Sequence, residues 1–70
     1  MIRKYSTDTE EKMRIVYRGL DEKAKRRYAA IEAQKLGHGG IKYISEVLGV
    51  SPKTISAGQK ELEELKKTKE

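Results

Sequence analysis

Four side chains in the second half of the sequence have the types and the spacing needed to bind a charged groove. Lys53, Ser56, Ala57 and Lys60 recur at i, i+3, i+4 and i+7, which places them on one face of a helix. Small polar side chains between two cations suit a groove whose floor is made of base edges and whose walls are phosphates. An ordinary solvated helix face has the same composition, so this pattern by itself leaves both interpretations open.

A second group of cations lies far from the first in the sequence. The run KAKRR forms the polar side of an alanine-rich segment and supplies Lys23, Lys25, Arg26 and Arg27. Such residues either contact phosphates or keep a helix soluble, and the sequence does not say whether they face a nucleic acid.

The overall composition limits the class of protein. The 70 residues fit one small domain, and 16 Lys and Arg against 11 Asp and Glu give a net charge of +5 that favours an anionic partner. The chain has no cysteine, which removes disulfides and thiolate zinc sites and suits a reducing compartment. No apolar run reaches the length of a membrane span and no signal peptide opens the chain, so we expect a cytoplasmic protein with no membrane partner.

Catalytic and metal chemistry have little support in the sequence. His38 has no cysteine or second histidine to accompany it, so we expect neither a metal site nor a cofactor. Glu61, Glu63 and Glu64 stand among lysines at helical spacing, which is typical of salt-bridge partners rather than of an acid–base pair. The GHGG at 37–40 is too short for a phosphate-cradling loop and follows no strand. The sequence therefore predicts that this chain is not an enzyme.

Capping residues predict two helices in the first half of an all-α fold. Thr7 with Glu10 three residues later predicts a capping box at the start of the first helix, and Gly19 predicts its end. Asp21 predicts the cap of a second helix over 22–36, which the GHGG loop then ends because glycine costs a helix about 1 kcal/mol relative to alanine.

The second half predicts two further helices, over 41–48 and from 52 to about 66, joined by a turn at 49–51. Residues 1–6 and 67–70 are expected to fray. The alternative for the first of these ends is a basic arm that reaches a minor groove through Arg3 and Lys4.

Apolar spacing predicts which side of each helix faces the core. The expected inward residues are Met13, Val16, Tyr17 and Leu20 in the first helix, Ile41, Ile44, Ser45 and Leu48 in the third, and Ile55, Leu62 and Leu65 in the fourth. Gly58 stands on the same side of the fourth helix, where the missing side chain allows a close backbone approach.

The residues between the third and fourth helices predict a helix-turn-helix. This motif needs a small residue at the crossing, positive φ in the turn, an apolar residue at the corner and a buried anchor in the second helix. Ser45, Gly49, Val50 and Ile55 supply these features in that order. The predicted fold is therefore a small helical bundle of about four helices in which the last two form a helix-turn-helix.

Nearly two-thirds of the chain, residues 20–63, resembles the N-terminal region of bacterial insertion-sequence transposases with a DDE catalytic domain, the Rhodopirellula-type transposases. That family has a leucine-acid-Glu start, basic residues, an AAxEA helix, a G-x-GGI turn and a GxSxxTIxxGxxEL segment. The matching elements are Leu20-Asp21-Glu22, Arg26-Arg27, Ala29-Ala30-Ile31-Glu32-Ala33, Gly37-His38-Gly39-Gly40-Ile41, Gly49-Val50-Ser51, Thr54-Ile55, Gly58 and Glu61-Leu62. The family often has basic residues where this chain has Ser56 and Ala57, and an aliphatic residue in place of Gln59.

The resemblance implies a bacterial, nucleoid-associated module that recognises the ends of a mobile element during transposition. It would bind double-stranded DNA ahead of a catalytic domain supplied in cis, because 70 residues cannot contain that domain. Ser51 serves as a helix cap, and Thr54 could offer its hydroxyl or backbone N–H to a phosphate at the helix N-terminus. The candidate DNA contacts are Ser51, Lys53, Thr54, Ser56, Ala57, Lys60, Tyr43, Lys42, Arg26 and Arg27.

Two other functions remain open at this level. A stand-alone transcriptional regulator would use the same fold as a homodimer on a palindrome. A helical protein–protein interaction module would instead use the last helix, which is mixed in charge and amphipathic, and would not bind nucleic acid.

Overall fold

A computed structural model describes residues 4–68, which form four α-helices and no strand. The helices are α1 (Thr7–Arg18), α2 (Glu22–Leu36), α3 (Gly40–Leu48) and α4 (Pro52–Thr68). The predicted all-α fold is confirmed, and the predicted helix bounds agree to within two residues. Within this part of the chain, no helix is both long enough and apolar enough to cross a membrane.

Side-chain caps begin three of the helices. Asp21 accepts a hydrogen bond from the Ala24 N–H at 2.8 Å, and Ser51 accepts one from the Thr54 N–H at 3.3 Å, so both predicted caps are confirmed. The predicted cap of α1 is wrong by one residue. Ser6, whose backbone is extended, accepts from the Thr9 N–H at 3.2 Å, and Thr7 is already helical.

Two glycines allow the chain to turn where α3 begins and ends. At Gly49 the backbone is left-handed, with φ of 70°, and the N–H groups of Gly49 and Val50 both donate to the Ser45 carbonyl, which closes α3. At Gly40 a Cβ atom would lie 2.3 Å from the Ala33 carbonyl oxygen, so only glycine lets α3 start this close to α2.

All four helices contribute to one hydrophobic core. Ile44 of α3 and Ile55 of α4 are fully buried, and α2 supplies small residues that let its neighbours approach closely: Ala29, Ala30 and Ala33. Val50 packs against this core from the turn, as predicted. Tyr43 and Val47, which the predicted stripe of α3 omitted, are also buried because α3 packs against all three other helices.

Two residues predicted to face inward are exposed. Val16 is 50% exposed, because α1 is rotated so that Glu10 and Arg14, rather than Val16, face α3. Leu65 is 40% exposed. Since α4 runs antiparallel to α2, Leu65 lies level with the first residues of α2, where little covers it.

Residues at both ends of the described segment have contacts or helical structure that the sequence does not predict. The Tyr5 N–H donates to the Tyr43 hydroxyl at 2.9 Å and the two rings meet edge to face, so Tyr5 packs against α3. At the other end α4 continues to Thr68 rather than ending near 66. Arg3, part of the predicted basic arm, lies outside the described residues, and Lys4 is exposed.

Candidate nucleic-acid interface

The four residues first identified by their spacing share one exposed face of α4. Lys53, Ser56, Ala57 and Lys60 are all exposed, and we call this set the α4 outer face. No acidic residue occurs between Pro52 and Lys60, because every carboxylate of α4 lies in its second half. The positive end of the helix dipole therefore coincides with the half that carries only cationic and neutral side chains.

The opposite side of α4 fixes the direction in which the outer face points. Ile55 is fully buried, and Gly58 lies directly against the backbone of α2. A Cβ atom on Gly58 would be 2.6 Å from the Arg26 carbonyl oxygen and 3.1 Å from the Ala30 Cβ. The two helices thus pack almost backbone to backbone at this point, so the orientation of α4 is closely defined.

The candidate residues Ser51 and Thr54 lie at the start of α4, Ser51 as its cap and Thr54 in its first turn. Ser51 is exposed, and its hydroxyl oxygen is engaged as the helix cap. The Thr54 N–H donates to the Ser51 carbonyl and hydroxyl oxygens, at 3.0 and 3.3 Å. Thr54 was expected to offer a phosphate either its hydroxyl or its backbone N–H. The N–H is already hydrogen-bonded within the chain, so the hydroxyl is the group that remains for a phosphate.

Arg26 and Arg27 face α4 rather than a shared basic surface. Arg26 Nε and Nη2 lie 3.1 and 3.3 Å from the two carboxylate oxygens of Glu61, and Arg27 Nη2 lies 3.3 Å from one of them. Hydrogen bonds from these guanidinium groups lower the pKa of Glu61, and the same contact raises the pKa of Arg26. The prediction that Glu61 is an ion-pair partner is confirmed, although its partners are arginines of α2.

The other two cations of the KAKRR run are separated from this ion pair. Lys25 lies over the Tyr17 ring, with Nζ 5.4 Å from the ring centroid, so it contributes to the contact between α1 and α2. Lys23 is exposed. The run is therefore divided among three environments and does not form a single basic face.

Tyr43 and its neighbour Lys42 have opposite environments on α3. Tyr43 is 7% exposed, and its hydroxyl accepts from the Tyr5 N–H and donates to the Glu10 carboxylate. Burial, together with the hydrogen bond to Glu10, raises the pKa of the Tyr43 phenol. The Tyr43 hydroxyl thus has both its donor and its acceptor partner inside the protein, whereas Lys42 is exposed.

The polar contacts between α1 and α3 were not foreseen from the sequence. Arg14 Nε donates to the Val47 carbonyl at 2.8 Å, which satisfies an acceptor in the last turn of α3. Glu10 and Arg14 also border an open cleft of about 180 Å³. The sequence contained one signal for these contacts, since Glu10 and Arg14 stand four residues apart on the side of α1 that carries Met13. It was missed because charged residues are usually predicted to face solvent.

Among residues 4–68, the structure contains no cluster of side chains that could hold a metal ion. Histidine, cysteine and carboxylate side chains do not gather in groups of three or more in this part of the chain. His38 is exposed in the loop between α2 and α3.

The fold and the outer face define a small four-helix protein whose last two helices are joined by a three-residue turn. Comparisons with known proteins do not narrow this class. No protein-family model, curated protein or solved structure matches the chain. The resemblance to insertion-sequence transposases therefore stays a prediction.

Proposed function

We propose that this chain is a sequence-specific double-stranded DNA-binding domain in which α3, the turn at 49–51 and α4 form a helix-turn-helix. The α4 outer face enters the major groove, where the first residues of a recognition helix meet the base edges. The observation that carries this proposal is the division of α4 into a buried side, with Ile55 and Gly58, and an exposed side that carries cations and, over residues 52–60, no carboxylate.

Each candidate residue has a role that follows from its position. Lys53 and Lys60, two turns apart on the outer face, contact phosphates on the walls of the groove. Ser56 and Ala57 lie between them and are small enough to let the helix approach the base edges, with Ser56 able to hydrogen-bond them. Lys42 and the hydroxyl of Thr54 supply further phosphate contacts.

Three of the expected contacts have no place in this proposal. Arg26 and Arg27 are held by Glu61, and the Tyr43 hydroxyl is occupied by Tyr5 and Glu10. The net charge of +5, which includes these two arginines, still supplies long-range attraction to DNA. Because few cations lie on the face itself, we expect modest affinity, with a salt dependence that reflects only a few phosphate contacts.

The resemblance of residues 20–63 to insertion-sequence transposases indicates which DNA this domain would bind and in which kind of protein. On that basis the DNA site is the end of a mobile element, and a DDE catalytic domain elsewhere in the parent protein carries out recombination. Bacterial, nucleoid-associated localisation belongs to the same proposal. The chain itself would position the element end and perform no chemistry.

A gel-shift or fluorescence-anisotropy titration across salt concentrations tests the docking face. Lys53→Ala with Lys60→Ala is expected to weaken binding to an element-end duplex by about tenfold or more. The slope of log K against log[salt] should fall by about 2, because each lysine that no longer neutralises a phosphate lowers the slope by roughly one. Unchanged affinity and slope would exclude the α4 outer face as the DNA-binding surface.

A matched control removes the same charge from the other end of α4. Lys66→Ala with Lys67→Ala lowers the net charge by the same amount but leaves the outer face intact, so it should weaken binding only through the general field of the protein. Equal losses in both double variants would indicate non-specific attraction. Sequence specificity requires that Ser56→Ala reduce the preference for the element end over a scrambled duplex.

A further inference from the structure

One carboxylate binds two arginines where α2 meets α4. Arg26 Nε and Nη2 lie 3.1 and 3.3 Å from the two carboxylate oxygens of Glu61, and Arg27 Nη2 lies 3.3 Å from one of them. Hydrogen bonds from Arg26 and then Arg27 lower the pKa of Glu61, so the carboxylate is ionised at neutral pH. We call these three residues the Glu61 cluster.

The Glu61 cluster borders the α4 outer face. Thr54, Ala57 and Glu61 stand at i, i+3 and i+7, so they form one row along α4, and Ala57 belongs to the outer face. The side chains of the cluster are 30 to 32% exposed. A phosphate that lies beside the outer face could therefore compete with Glu61 for the same guanidinium donors.

Glu61 binds its two arginines unequally. Arg26 presents two nitrogens, one to each carboxylate oxygen, which is the paired geometry in which a guanidinium binds a carboxylate most strongly. Arg27 presents only one, and its Nε is buried and finds no hydrogen-bond partner among residues 4–68. A buried donor without an acceptor costs free energy that a phosphate acceptor would restore. Because Arg26 would still satisfy Glu61 if Arg27 left, Arg27 is the arginine that can be exchanged.

The selectivity of DNA binding depends on how many cations reach the phosphates. Phosphate contacts strengthen binding to every sequence, and they account for essentially all of the affinity for DNA without the recognised site. A cation that an internal carboxylate keeps from the backbone therefore leaves a larger share of the affinity to base contacts.

We propose that Glu61 is a specificity-determining residue, which withholds Arg27 from the DNA backbone and so limits sequence-independent binding. This role rests on the proposed function, because it takes double-stranded DNA as the ligand of α4. In the absence of the Glu61 carboxylate, Arg27 would bind a phosphate at the edge of the α4 outer face, and this contact would form on any duplex.

Binding of a scrambled duplex, measured by fluorescence anisotropy across salt concentrations, tests the role of Glu61. Glu61→Gln should tighten binding by about fivefold or more and steepen the slope of log K against log[salt] by about 1 or more, because at least one further phosphate is neutralised.

Glu11→Gln is the matched control for the change in net charge. It removes one carboxylate from an exposed position of α1, a helix that packs against α2 and α3, so it should change binding only through the general field of the protein. If Glu61→Gln and Glu11→Gln bind the scrambled duplex alike, the proposal is overturned.

Replacing Arg27 tests the same role without altering Glu61, whose replacement could also weaken the fold. Arg27→Gln should leave the salt slope of the otherwise wild-type chain nearly unchanged, because Arg27 is withheld, but should reduce it by about 1 in the Glu61→Gln background. A reduction of about 1 in both backgrounds would mean that Arg27 already contacts DNA, which overturns the proposal. Circular dichroism at the assay temperature checks that each variant is folded.

These outcomes are distinguishable from a failure of the α4 outer face. If Lys53→Ala with Lys60→Ala leaves binding unchanged while Glu61→Gln strengthens it, the docking face is wrong and the role of Glu61 stands. If the double lysine variant weakens binding but Glu61→Gln and Glu11→Gln are alike, the docking face stands and the role proposed for Glu61 is wrong.

Discussion

The two sides of α4 differ in what they contribute to the protein. The inner side packs against α2 through Ile55 and Gly58, with the ion pair of Glu61 beside them. The outer side exposes only small or cationic residues over its first half. Packing therefore constrains the residues on the inner side of α4, whereas it does not constrain those on the outer side, which can serve binding. Stability and DNA affinity should therefore be separable by mutation.

The largest expected effect is the loss of the buried anchor of α4. Ile55→Ala should lower the free energy of unfolding by about 2–5 kcal/mol, because Ile55 is fully buried and its truncation leaves a cavity in the core. Urea denaturation followed by circular dichroism measures this change. Ser56→Ala, at the adjacent exposed position, is the control and should change stability by less than about 0.5 kcal/mol. Equal effects at the two positions would contradict the assignment of the two sides.

The next largest effect is expected at the close approach between α2 and α4. Gly58→Ala places a Cβ atom 2.6 Å from the Arg26 carbonyl oxygen, so the helices must move apart. Overpacking of this kind costs about 1–3 kcal/mol, against which the better helix propensity of alanine restores up to about 1 kcal/mol. Urea denaturation of the variant and the wild type measures the net change.

Gly19→Ala is the matched control for this substitution. A Cβ atom there would lie 3.6 Å from the Val16 carbonyl oxygen, an ordinary contact, and φ of −83° suits any residue. Its stability should be unchanged or slightly higher. If Gly58→Ala is as stable as the wild type, α2 and α4 are not held this closely.

A smaller effect, confined to acid, is expected from the ion pair beside this contact. The pKa of Glu61 is lower in the folded protein than in the unfolded chain, so the folded state binds fewer protons there. The resulting stability is present above the ordinary carboxyl pKa and is lost as the pH falls through it towards the folded-state value. In Glu61→Gln, stability should therefore fall less steeply on the acid side of the curve of stability against pH, its acid limb. Thermal melts at a series of pH values measure this change.

Glu63→Gln is the control for the change of charge, because it removes one carboxylate from an exposed position of the same helix. The two variants should have distinguishable acid limbs. An identical acid limb in Glu61→Gln and the wild type would mean that the contact with Arg26 and Arg27 contributes nothing to stability.

The smallest effect on stability is expected on the outer side. Lys53→Ala with Lys60→Ala removes two exposed side chains, so the free energy of unfolding should change by no more than about 0.5 kcal/mol. The same double variant is expected to lose DNA affinity. A large loss of stability would show that the outer side also supports the fold. DNA affinities would then have to be compared at a lower temperature, at which the variant is folded.

Local features of the fold were predictable because they depend on neighbouring residues alone. Asp21 and Ser51 each accept from a backbone N–H three residues later, and Gly49 has the positive φ that ends α3. The α1 cap was missed by one residue because Ser6 and Thr7 are both good capping residues and the sequence does not show which has the extended backbone.

The candidate site was predicted only in part. The exposure of the outer face followed from helical spacing, because burying Ile55 turns Lys53 and Lys60 towards solvent. The surroundings of Arg26 and Tyr43 did not follow from spacing. Each finds its partner in a helix more than 30 residues away in the sequence, Glu61 for Arg26 and Glu10 for Tyr43.

The sequence by itself determined four helices, their bounds to within two residues, and that the first half of α4 carries no carboxylate. Capping, glycine turns and the 3.6-residue period act within a few residues of one another, so no knowledge of the fold is needed to find them. Only the tertiary structure decided that Val16 faces outward, that Tyr43 is buried and that the arginines of α2 bind α4. These outcomes depend on how whole helices rotate to satisfy buried polar groups and close packing, and such contacts join residues that are distant in the chain.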